Sequence, residues 1–306
     1  MRDQLSGVLV LNKPAEVSSA KVVSKVKKLM GAAKAGHAGT LDPFATGVLV
    51  CCINQATRLA GFFLRGTKTY EAVLRLGIET DTQDGTGGIV RQARIPEIKE
   101  SDLQLLFNKF IGPQMQRPPV HAALKHRGTP LYKLARQGRP VQKPARPIFI
   151  ETLRLLDMDL PGVRFEVRCS AGTYIRTLCA DMGAALGCGG HLAILHRTAG
   201  SGFSIEESVS LEHLESLEPD ARANLLIPMA DTLRAMPMLT AGPDLLQRVA
   251  HGQKLTDTHL PPPQIEIPAG TGHPDHVKVV DAGNNLKAVL QKTPDGKGYN
   301  YCCVFK

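Results

Sequence analysis

Between Leu103 and Ile150 the chain has no aspartate and no glutamate. The same stretch carries Lys109, Arg117, Lys125, Arg127, Lys133, Arg136, Arg139, Lys143 and Arg146. These nine account for the whole net charge of +9, because elsewhere basic and acidic residues balance at 28 each. A solvated protein face ordinarily mixes both signs. A block that excludes acids over this length points to a polyanionic partner, a surface for phosphates.

Other absences narrow the field further. No stretch approaches the roughly 18 consecutive apolar residues of a membrane span. Met1 to Ser6 enters a strand-like run with no secretory apolar segment, so a cytoplasmic location is expected. The seven cysteines include no C-x-x-C pair, which argues against a zinc site and leaves no metal expected. They fall mostly at apolar positions, as buried free thiols of a reducing compartment do. No internal repeat is visible. With 306 residues, 43% of them hydrophobic, the chain can bury a sizeable core in one large and one small domain, or in two similar ones.

What is present reads as interspersed strands and helices. Gly7 to Lys13 forms a strand ending at Pro14, and Ser18 or Ser19 then caps a helix with Val22, Val23, Val26, Leu29 and Met30 on one face. Val48 to Ile53 reads as a buried strand. Thr69 to Leu76 and Val163 to Ser170 alternate with period two. Ile78 to Gly88 reads as a polar connection, and Leu103, Leu106, Phe107 and Phe110 make a helical stripe. Met115 to Arg146 reads as a long functional loop with one short helix near Leu131 to Gln137. Gly172 and Thr173 are expected to open a helix, and His191 to Thr198 to form a strand. The absence of a strict βαβ rhythm favours a mixed α/β (α+β) fold. From about residue 236 short strands at 277–280, 286–291 and 301–305, with a helix at 243–250 and a Pro-rich link at 261–263, suggest a small β-rich domain.

The most informative segment is Gly36-His37-Ala38-Gly39-Thr40-Leu41-Asp42-Pro43-Phe44-Ala45-Thr46-Gly47. Pro43 biases Asp42 toward an extended or turn conformation. The glycines permit positive φ and the close approach of another backbone. A lone acid on such a loop suits catalysis on a bulky polyanion, although Asp-Pro is also a common turn starter.

Four segments stand together in order: this loop, Lys68-Thr69-Tyr70-Glu71-Ala72, the stretch Gln116-Arg117-Pro118-Pro119 continuing to Arg136, and Gly172-Thr173-Tyr174-Ile175-Arg176-Thr177-Leu178. The set closely resembles the bacterial tRNA pseudouridine synthase B family from about Leu9 to Phe203. The resemblance implies a largely antiparallel mixed sheet with flanking helices (residues 1–235, with a basic loop at about 115–147). It also implies a small β-barrel domain of the PUA type (236–306), carried by Leu245 to Leu255 and the final strands. It implies isomerisation of a T-loop uridine, position 55 in the tRNA convention, to pseudouridine by base flipping without a cofactor. A monomer acting on the T-arm of tRNA, with no obligatory protein partner and no membrane, is expected.

Carried over residue by residue, Asp42 is the catalytic aspartate, Arg176 the arginine that holds it, and Tyr70 the ring that stacks on uracil and handles the carbon-bound proton. His37, Tyr174, Leu195 and Lys13 would belong to the substrate site with Tyr70, Lys13 by supporting the site's loop. Arg117, Lys125, Arg127, Lys133, Arg136, Arg139, Lys143 and Arg146 would meet the RNA backbone. Two departures stand out: Ala38 replaces a usual threonine, and Pro119-Val120-His121-Ala122-Ala123 replaces Pro-Met-Tyr-Ser-Ala. Both predict altered RNA contacts with the chemistry retained. An RNA-binding or tRNA-folding factor is the alternative, and a guide-RNA-dependent synthase a third reading.

Overall fold

In β1 (Gly7–Lys13) six of seven residues are buried, the continuous apolar run of a strand covered on both faces. The computed structural model describes residues 5–260 and 275–305. After β1 come α1 (Ser19–Leu29), β2 (Ala35–His37), β3 (Thr46–Ile53), α2 (Ala60–Arg65) and β4 (Lys68–Leu76). Next are β5 (Ile78–Thr80), β6 (Ile89–Gln92), α3 (Glu100–Phe110), β7 (Gly112–Gln116), β8 (Lys125–His126), β9 (Thr129–Pro130) and α4 (Leu131–Arg136). The large region closes with β10 (Arg146–Asp159), β11 (Gly162–Cys169), α5 (Ile175–Ala185), β12 (Gly190–Gly200), β13 (Phe203–Ser204), β14 (Val209–Ser210) and the short α6 (Leu211–Ser216), α7 (Pro219–Ala223) and α8 (Met229–Thr232).

The main sheet runs β14-β1-β3-β12-β4-β11-β10-β7, with β2 added to β3 and β13 to β12. Only the β1–β14 and β3–β12 pairings are parallel among the described residues of this sheet. The expected mixed, largely antiparallel sheet is therefore what forms. Alternation along β4 buries Tyr70, Ala72, Leu74 and Leu76 with α3 and α5. Its outer face is solvated, where Arg164 pairs with Glu71 and Arg168 with Glu151 across strands. On β1 and β3, Leu9, Leu11, Leu49 and Cys51 pack on α1, while Val8, Val10, Val48 and Val50 face the C-terminal region.

A small C-terminal β domain follows. It is a four-stranded sheet β15 (Met238–Thr240), β16 (His276–Val280), β17 (Leu286–Lys292) and β18 (Tyr299–Val304), with α9 (Pro243–Ala250) beside it. Leu239, Leu245, Val249, Val279 and Leu290 form its own core, and Val280, Val289 and Phe305 pack against the main sheet. The Pro-rich link at 261–263 lies outside the described residues.

Local expectations shift in three places. The polar connection 78–88 begins with β5, which pairs with β6. Gly172 and Thr173 form a turn before the helix, with Gly172 at φ +88, and α5 starts at Ile175 after its N-cap Tyr174. The basic segment contains the small β8–β9 hairpin besides the expected helix, and Arg146 already belongs to β10.

Candidate active site

The Asp42 loop is a held structure. The amide of Ala45 donates to the Asp42 carbonyl at 3.1 Å, closing the turn that the Asp-Pro step favours. Ser18 caps α1, which frees Ser19 for a different task. The buried Ser19 hydroxyl bonds both the amide and the carbonyl of Leu41, each at 2.9 Å. From β1, the Lys13 ammonium donates to the carbonyls of Pro43 (3.1 Å), Val17 (2.6 Å) and Pro14 (2.7 Å). From β12, Arg197 donates to the Gly39 carbonyl at 3.0 Å. Three side chains from three elements thus fix the backbone on either side of Asp42.

The loop rims a cavity of about 380 Å³ lined by Asp42, Tyr70, Tyr174, Arg176, Leu195, Arg146, Lys68 and Arg197 among others. All three residues expected to be catalytic line it, as do Tyr174 and Leu195. Lys13 and His37 do not. Lys13 has no exposed surface and meets the loop at the Pro43 carbonyl. Burial holds its ammonium down to about 8, with Asp42 opposing that shift. His37 sits half-buried on β2, its Nδ1 buried without a hydrogen bond, and desolvation lowers its basicity.

Asp42 keeps about a third of its side chain open (34%), toward the cavity. Desolvation pushes its carboxyl above the usual range, opposed by the Arg176 cation. The Arg176 Nε lies 3.0 Å from Asp42 Oδ2, an ion-pair distance without hydrogen-bond alignment. Its other nitrogens donate to the Thr82 and His121 carbonyls at 3.1 and 3.0 Å. Because His121 contributes only its carbonyl, the departure from the family's pattern at this position leaves the contact intact.

The sequence reading missed Asp84. Its carboxylate is buried and meets Arg176 Nη1 at 3.3 Å, while Thr82 and Thr86 donate to its other oxygen at 2.8, 3.0 and 2.6 Å. A five-donor guanidinium caught between two carboxylates is fixed in plane. Gln116 was also missed. Its amide accepts from the Tyr174 amide (2.7 Å) and donates to the Tyr174 carbonyl (3.0 Å), holding the entry to α5. The Arg146 guanidinium lies 5.2 Å over the Tyr174 ring and bonds the Gly172 carbonyl, so it is a cavity wall as well as part of the basic block. Arg117, Lys125, Arg127, Lys133, Arg136 and Arg139 are exposed, Lys143 is half-buried, and none of these forms an ion pair among the described residues. No cluster of three metal-binding side chains occurs among the described residues, and no helix there is long and apolar enough to cross a membrane.

Residues 27–175 match the N-terminal domain of the TruB family pseudouridylate synthases, and 176–234 match the tRNA pseudouridylate synthase B C-terminal domain. The tRNA pseudouridine synthase B of Syntrophotalea carbinolica is 43% identical over 81% of both chains. That of Ralstonia nicotianae is 42% identical over 94% of this chain and 90% of its own. The chain belongs to the TruB family. As a TruB-family enzyme it isomerises uridine in tRNA to pseudouridine. Its fold also matches a crystallised Cbf5-Nop10-Gar1 complex, at a TM-score of 0.73 and 26% identity, covering 99% of this chain and 84% of that one.

Proposed function

We propose that this TruB-family enzyme acts on the T-loop uridine at position 55 of free tRNA, with the T-arm as the recognised element and no guide RNA or protein partner. The observation that carries the reading is the Asp42–Arg176–Asp84 chain at the wall of a cavity beside an acid-free basic segment. The basic residues from Arg117 to Lys143 clamp backbone phosphates, and His37 fills the stack vacated by the flipped base. Residues 1–235 form the catalytic domain, and 236–306 form a PUA-type domain that adds RNA contact. The protein works as a cytoplasmic monomer.

The flipped uridine enters the cavity with its ring on Tyr70, between Tyr174 and Leu195. Entry completes the desolvation of Asp42, and Arg176 keeps the carboxylate charged for its reaction with the nucleotide. The glycosidic N1–C1′ bond breaks, the base turns, and C5 joins C1′. Tyr70 stacks first and takes the C5 proton second.

Purified enzyme with a T-arm stem-loop transcript alone tests the partner and substrate reading together. Full conversion at the loop uridine, with no conversion of an anticodon stem-loop, is expected. Tight binding without conversion would favour a tRNA-folding factor, and a requirement for added RNA would favour a guided enzyme.

A further inference from the structure

Arg197 is only 3% exposed and has no carboxylate within ion-pair distance among the described residues. A buried unpaired cation is costly unless its N–H groups are satisfied. Here Nε donates to the Val48 carbonyl at 2.6 Å and Nη2 donates to the Gly39 carbonyl at 3.0 Å, and the cation stands on the cavity wall that Tyr70 shares, where its charge favours the phenolate. The strand register explains the meeting. One row crosses five strands as Lys13, Gly47, Arg197, Tyr70 and Val167. Directly opposed residues of neighbouring antiparallel strands share a face, so Arg197 and Tyr70 stand side by side on the cavity side. Gly47, at φ +102, is required there: a Cβ would stand 2.2 Å from the Arg197 carbonyl oxygen.

We propose that Arg197 is a positioning residue for the isomerisation: anchored to the Asp42 loop, its guanidinium stands beside Tyr70 and sets the charge of the hydroxyl that receives the proton from uracil C5. The inference rests on the reading of Tyr70 as proton acceptor. Once C5 has bonded to C1′, the C5–H bond breaks and its electron pair restores the C5=C6 double bond. The proton passes to the Tyr70 oxygen, which has already released its own to solvent. N1, which kept the electron pair of the broken glycosidic bond, takes a proton from water. A guanidinium fixed beside that oxygen stabilises its anionic form.

The other titratable groups facing Tyr70 are Cys169 from β11 and Asp42 from the loop, both of which disfavour the phenolate. Lys68, Arg146, Tyr174 and Arg176 complete the charged and titratable lining. Burial raises the Tyr70 phenol and Arg197 opposes the rise. Lys68 is committed to the carbonyls of Leu64 and Gly66. Arg197 is thus the cation whose charge opposes the rise at the Tyr70 phenol.

The test is single-turnover conversion of tRNA transcripts carrying hydrogen or deuterium at uridine C5, followed from about pH 6 to about pH 9. Arg197→Gln should slow the step about 100-fold with tRNA affinity unchanged, expose a C5 isotope effect, and give a rate that climbs with pH where the wild type is level. Arg197→Lys, which keeps a cation, should recover part of the rate. It also carries the test if the glutamine variant does not fold. In a Tyr70→Phe background Arg197→Lys should change neither isotope effect nor pH profile. Equal slowing of both isotopes with a wild-type pH profile would leave Arg197 as a loop support only and overturn the inference. Loss of C5 hydrogen at the wild-type rate in Tyr70→Phe alone would instead overturn the reading of Tyr70.

Discussion

Positive charge occurs in two forms in this enzyme, and the contrast explains how the site is divided. Under the Asp42 loop, Lys13, Lys68 and Arg197 are buried, and their hydrogen bonds run to backbone carbonyls. In the segment from Arg117 to Arg139 the cations reach solvent and form no ion pairs among the described residues. Burial forces a cation to satisfy its donors locally, so the inner set is committed to fixing backbone geometry and biasing Asp42 and Tyr70. Solvent leaves the outer set free to exchange counterions for phosphates. On the proposed function, the inner set serves the chemical step and the outer set serves affinity.

The sharpest way to break this division is at Arg176, the inner cation that bridges two acids. Arg176→Lys keeps the charge but loses the planar fork, and the single-turnover rate should fall about 100- to 1,000-fold with tRNA affinity nearly unchanged. On the proposed mechanism Asp42 reacts in its ionised form, and burial raises its carboxyl above the ordinary 3.8. Activity therefore declines as pH falls through that raised value. Removing the opposing cation in Arg176→Gln should move the acid limb of the pH profile further up. An unmoved limb would show that Arg176 does not set the charge of Asp42.

Lys13→Met tests the inner set for stability. It leaves the Pro14, Val17 and Pro43 carbonyls without their donor, and unfolding in urea should show a loss of about 3 kcal/mol. For the outer set, Lys133→Ala with Arg136→Ala should weaken tRNA binding and spare the rate at saturation. The salt slope should fall by about 1 for each phosphate no longer held. A changed saturating rate would erase the distinction between the two regions. The smallest effect concerns burial alone: Cys302 is the exposed thiol, so one of the seven cysteines should react rapidly with a thiol reagent in the folded protein.

The sequence was most legible where the signal is local. Period-two alternation marked β4 and β11, and the apolar run at Val48 marked β3, because burial imposes those patterns residue by residue. The Asp42 turn followed from Asp-Pro, and the close backbone approach permitted by the loop glycines is realised at Gly47. The supports were not legible. Asp84 lies 92 positions from Arg176 in a stretch of threonine, aspartate and glycine that reads as an ordinary solvated turn. Its hydrogen-bonding turn to Thr86 was the one local hint. Ser19 looked like a candidate cap and proved to be a loop clamp, while Gln116 and Arg197 act through contacts 58 and 158 positions away. Such pairings are set by sheet register, which periodicity alone does not encode.

Asp42 is the residue on which the proposed chemistry turns. Tritium release from tRNA transcript labelled at uridine C5 measures loss of the carbon-bound hydrogen, and wild type should be compared with Asp42→Asn at equal tRNA occupancy. Release of about one equivalent by the wild type, absent in the variant while binding persists, is the predicted result. Comparable release by both proteins would contradict the assignment of Asp42 as the catalytic residue.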